Sequence, residues 1–72
     1  MRACKVTKSR HKDSGHVLNY PVNDTKYDVF TLDATFHQFM QESEGDSTWV
    51  VAVVEYETGS VEAVGLAGFC FV

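Results

Sequence analysis

Seventy-two residues carry six Lys or Arg against ten Asp or Glu, a net charge of −4, with two Cys and one Pro. A chain this short buries only about 60% of the surface its unfolded form exposes, so its core is thin and a disulfide, a metal or another subunit is the usual support. Two cysteines are too few for the framework of a small secreted domain, the first dozen residues lack the apolar stretch of a signal peptide, and no apolar run approaches the ~20 residues of a membrane span. The expectation is one compact, cytoplasmic domain over residues 1–72, with Cys4 and Cys70 as free thiols.

The charge is segregated. Arg2, Lys5, Lys8, Arg10 and Lys12 stand in the first twelve residues, and after Lys26 there is no further Lys or Arg. Residues 13–72 hold one Lys against ten acids, which sums to −9. A basic start suits phosphate binding, whereas an acidic remainder suits a cationic protein surface.

In chain order, residues 2–8 (RACKVTK) alternate, Cys4 and Val6 on one face with Lys5 and Thr7 on the other, and predict a short edge strand. Residues 9–15 (SRHKDSG) have no period and end in turn-forming residues, which predicts a loop. Residues 16–22 (HVLNYPV) alternate, with Pro21 near an edge, and are expected to form a hairpin with residues 26–32 across the turn at 23–25. Residues 33–46 (DATFHQFMQESEGD) supply the one helix candidate. Asp33 is placed as its N-cap, Phe36, Phe39 and Met40 form an i, i+3, i+4 stripe, and Gly45 stops it.

Residues 47–72 are rich in Val and aromatics on both sides of Thr58-Gly59, which predicts a long hairpin. A two-residue loop there would pair Tyr56 with Val61, Val54 with Ala63 and Val53 with Val64, and would set Glu55 opposite Glu62. Both hairpin faces are then apolar near the base, so one helix cannot cover them. A second layer or another subunit is needed. The fold class expected is α+β, a mostly antiparallel sheet of four to five strands with one short α-helix, in the order β-β-β-α-β-β.

No spacing enforces catalysis. Cys4, Cys70 and the hydroxyl residues are candidate nucleophiles and His11, His16 and His37 candidate bases, but nothing ties a nucleophile to a base and an orienting group. The cluster HKDSGH at 11–16 has the ligand types of a zinc site within a solvated loop that supplies too few ligands by itself. The chain is therefore read as non-enzymatic, with no metal and no cofactor.

The remaining features concern binding. Between Tyr27 and Val72 there are eight carboxylates and no Lys or Arg. Asp28, Glu42, Glu44, Asp46, Glu55, Glu57 and Glu62, with Trp49 and Tyr56 as aromatic anchors, make up the expected partner-binding set, aimed at the basic surface of a larger protein or nucleoprotein complex. Two alternatives accompany it: a homodimer through the two-faced hairpin, and direct nucleic-acid binding through Arg2, Lys5, Lys8, Arg10 and Lys12. Against the latter, the start lacks interleaved aromatics and its cations are well placed to offset Glu55 and Glu62 within the chain. In size, acidity and lack of catalytic motifs the chain resembles the small inhibitors that bacteriophages deploy against host defences, such as anti-CRISPR proteins. That resemblance implies stoichiometric inhibition in a host cytoplasm, and it assigns no residue a role.

Overall fold

A computed structural model describes residues 2–72 as six antiparallel strands: β1 (Arg2–His11), β2 (Val17–Leu18), β3 (Tyr27–Glu44), β4 (Ser47–Tyr56), β5 (Val61–Gly65) and β6 (Phe69–Phe71). The sheet order is β2-β1-β3-β4-β5, and a 3₁₀ turn at Leu66–Gly68 brings β6 back to β1. The sheet thus curls into a half-barrel. The α+β expectation is overturned, because no α-helix is present among the described residues.

The segment read as a helix is the C-terminal half of β3, and a bulge explains the misreading. Phe36 pairs with Val54 but Gln38 pairs with Val53, so His37 is an extra residue in β3. An extra residue shifts the two-residue period by one. Phe36 and Phe39 therefore share a face at a spacing of three, the spacing of a helical stripe, while Met40 lies on the opposite face. Their rings pack 4.8 Å apart between centroids. Asp33 caps nothing; it lies within β3, opposite Lys5.

Three other elements differ from expectation. First, β1 is an interior strand that runs to His11, flanked by β3 on one side and by β2 and β6 on the other. Second, β2 is two residues long and pairs with β1, so the hairpin expected between 16–22 and 26–32 does not form. Third, the Thr58-Gly59 turn is real but has three loop residues. Gly59 adopts φ +89° and donates its N–H to the Tyr56 carbonyl, and Tyr56 donates to the carbonyl of Ser60. Such loops pair a tight turn with a glycine in the left-handed region. The register moves by one residue, pairing Val54 with Glu62 and Ala52 with Val64. A one-residue slip exchanges the faces. Glu62 consequently points inward.

The inner face holds a core of Cys4, Val6, Ala52, Val54 and Val64, with Phe36, Tyr56, Phe69 and Phe71 packed around it. Nothing larger than Val is fully buried. Cys4 and Cys70 are free thiols: β1 and β6 are neighbours, but Cys4 lies opposite Phe71 and Cys70 opposite Lys5, which sets the two sulfurs on different faces. Beyond the barrel, residues Gln38–Val50 continue as a two-stranded ribbon paired on neither outer edge. The radius of gyration, 12.9 Å, reflects this projection, since a compact chain of this length has about 11 Å.

Candidate functional site

The four cations of β1 and Lys12 just beyond it all have partners within the chain. Lys8 Nζ donates to Glu62 Oε1 at 2.8 Å inside the half-barrel, where the Tyr56 hydroxyl donates to the same oxygen, also at 2.8 Å. Lys5 lies 3.5 Å from Asp33 and Lys12 3.8 Å from Asp28. Arg2 stacks 3.9 Å above the Phe71 ring, and Arg10 lies 5.2 Å from the Phe30 ring centre. From Cys4 to Lys8 alternation explains the placement, with Cys4 and Val6 in the core, Lys8 at its rim and Lys5 outside, whereas beyond it Ser9 is buried and Arg10 exposed.

Burial alone would raise the carboxyl pKa of Glu62, but the hydrogen bonds from Lys8 and Tyr56 and the Lys8 charge outweigh it and hold the pKa below the ordinary range. Burial raises the Tyr56 phenol, and its bond to Glu62 and that carboxylate's charge raise it further. This triad is an internal closure of the barrel. Glu62 and Tyr56, both expected in the partner-binding set, are therefore structural on their polar side.

The other acidic residues divide between two places. Glu42, Glu44 and Asp46 cluster at the ribbon tip, where Glu42 pairs across the strands with Trp49. None of these three has an ion-pair partner among the described residues. Glu55 and Glu57 lie at the other end of β4, with Asp33 beside them. Glu55 accepts from the His37 ring at 2.9 Å, and Glu57 sits on the exposed turn. Asp28 is remote from both clusters, at the start of β3 near Lys12.

Register places Gln38, Met40, Glu42 and Glu44 of β3 on the outer face with Trp49, Val51, Val53 and Glu55 of β4 and Val61 and Ala63 of β5. That face has an apolar middle, with Met40 and Trp49 about two-fifths exposed, and carboxylates at both ends. Apolar centres with charged rims are the anatomy of protein interfaces. Met40 and Val53 belong to this surface and were not among the residues expected from sequence, whereas Val51, on the same face by register, is buried. The signal was present in the alternation of Gln38, Met40, Glu42 and Glu44 beyond the bulge.

Two grooves open where β3 parts from β4. One, about 250 Å³, is lined by Asp33, Thr35, Glu55, Tyr56 and Glu57, and the next, about 530 Å³, by Leu32, Asp33, Tyr56, Glu57 and Ser60 among others. No three His, Cys, Asp or Glu side chains come together as metal ligands among the described residues. His11 instead accepts the amides of Asp13 and Ser14 and shapes its own turn. No helix among the described residues is long and apolar enough to cross a membrane. Comparison with protein-family models, curated proteins and solved structures returns no match.

Proposed function

We propose that this chain is a non-catalytic cytoplasmic protein that binds another protein stoichiometrically, as an inhibitor or regulator of a basic, nucleic-acid-handling complex of the kind that phage anti-defence proteins target. The observation that carries this reading is the outer face of β3, β4 and β5: Met40, Trp49 and Val53 between carboxylates, on strands without a single Lys or Arg. A cationic partner surface is attracted to such a face, and acidic competitors are repelled. Trp49 is the natural anchor. The in-chain partners of Arg2, Lys5, Lys8, Arg10 and Lys12 speak against direct nucleic-acid binding.

Affinity purification from the native cell, with wild type and with Glu42→Lys/Glu44→Lys/Asp46→Lys as baits, tests the reading. The wild type is expected to retain a basic partner whose affinity falls as salt rises. The variant, altered only at exposed ribbon positions, is expected to lose it. Retention of the same partner by the folded variant defeats the proposal.

A homodimer is the second reading. It is favoured by the ribbon's half-exposed Phe39, Met40, Trp49 and Val50, because a lone two-stranded ribbon is marginal in water. Light scattering at high concentration then gives about twice the 8.0 kDa of the chain. A mass of one chain throughout rejects it.

A further inference from the structure

We infer that the opening between β3 and the β4–β5 turn is a strand-addition site, which takes an extended segment of another protein with alternating cationic and apolar residues. β4 pairs with β3 only as far as Ala34 opposite Tyr56, so the β3 stretch Tyr27–Asp33 has β1 on one edge and no strand on the other. Apart from the amide of Tyr27, which bonds the Asp24 carbonyl, the outward backbone groups of this stretch have no partner among the described residues. Unpaired N–H and C=O groups in a row are a template for another strand.

The free stretch is seven residues, about 23 Å at 3.3 Å per residue. The groove of about 530 Å³ lies against the last three of these residues, Thr31, Leu32 and Asp33, with Tyr56, Glu57 and Ser60 on the turn side. An incoming strand would enter there and continue along the free edge toward Tyr27.

Charge selects the occupant. Asp33 and Glu57 line the gap and Glu55 adjoins it; no Lys, Arg or His is in the lining, and although Lys5 reaches Asp33 and His37 reaches Glu55 from outside it, Glu57 has no ion-pair partner among the described residues. Leu32 and Tyr56 supply apolar contact for alternate residues of an incoming strand. A second copy of this chain does not fit the requirement: its only strand rich in Lys and Arg is β1, which is already flanked by β3, β2 and β6. The occupant is therefore another protein's basic extended segment. This inference rests on the cationic-partner reading above, and it adds an entry point remote from the ribbon tip.

The test uses the full chain, isotope-labelled for NMR, and a blocked peptide of about nine alternating Arg and Val residues, long enough to span the free stretch. A control peptide carries Glu in place of Arg. Saturable amide shifts confined to residues 28–33 and 56–60 are expected, together with slowed hydrogen exchange at outward β3 amides. The Glu peptide should produce neither. Glu57→Lys/Asp33→Asn, both exposed positions, is expected to weaken the Arg peptide at least tenfold while leaving the remaining spectrum intact. Shifts centred on residues 38–50, absence of saturation, or equal binding of the Glu peptide overturns the site. Because the readout is the peptide, strand addition can fail while the ribbon-tip variant still loses its partner. Equally, the peptide can bind while that variant keeps its partner, which defeats the reading of the tip alone.

Discussion

The barrel and the ribbon share two strands, β3 and β4, yet they treat charge and apolar surface in opposite ways. In the barrel, Val54 and Ala52 are fully buried, Lys8 and Glu62 meet at 2.8 Å, and Asp33 is within reach of Lys5. On the ribbon, Glu42, Glu44 and Asp46 have no cation nearby, and Trp49 and Val50 remain more than two-fifths exposed. The difference follows from neighbours: β1 and β5 flank the pair in the barrel and stop short of the ribbon. Internal pairing consumes the chemistry of one region, and the other keeps its chemistry for contact.

Substitutions can break that comparison or sharpen it. The largest effect is expected at the barrel seam, where a Cβ on Gly68 would stand 2.5 Å from the Thr7 carbonyl oxygen and 2.8 Å from that of Asn19. Both obstacles are backbone, so Gly68→Ala should cost about 3 kcal/mol in urea unfolding. Next, Val54→Ala removes fully buried methyls and should cost about 2 kcal/mol, whereas Val50→Ala on the ribbon should cost about 0.5 kcal/mol or less. Equal losses at positions 54 and 50 would mean that the ribbon is covered in solution.

A smaller effect is expected with pH. The folded Glu62 carboxyl titrates below its unfolded value, so its contribution is fully present above the unfolded pKa, about 4.3, and is lost as pH falls through the folded pKa. Between about pH 6 and about pH 3 the urea midpoint of the wild type should therefore fall further than that of Glu62→Gln. A parallel decline in the two proteins assigns the acid sensitivity to other carboxylates. The mildest probe is thiol labelling, which leaves the fold untouched at its first step. Burial, and secondarily Cys70, push the Cys4 thiol up in pKa, while Cys70 is exposed on β6. Alkylation followed by mass spectrometry should modify Cys70 at least about tenfold faster.

Much of this layout was legible in the sequence, and its failures have physical causes. Alternation in residues 2–8 correctly put Cys4 and Val6 on one face, both buried in the structure. The turn at Thr58-Gly59 was equally plain, but sequence does not distinguish a two-residue loop from a three-residue loop with a left-handed Gly59. That single residue moved Glu62 from the outside to the inside. The helix reading failed for a related reason, since a bulge at His37 gives Phe36 and Phe39 the spacing that helices use. At the candidate site, Glu42, Glu44, Glu55 and Glu57 stand exposed or half-exposed, as their lack of basic neighbours in sequence suggested, whereas Glu62, expected exposed on the same ground, is held part-buried by Lys8 and Tyr56. The gap beside Leu32 was not legible, because it depends on where β4 ends relative to β3.

His37 has one more consequence. As the extra residue opposite the step from Val54 to Val53, it bends β3 where the barrel gives way to the ribbon. Deleting it would not turn the ribbon over, because Phe36 opposite Val54 and Gln38 opposite Val53 are already successive pairs, so Phe39 and Gln41 would keep the barrel side. One codon thus separates a bent ribbon from a straight one while each side presents the same residues. The aim of the ribbon can change in a single step without any change in the chemistry it carries.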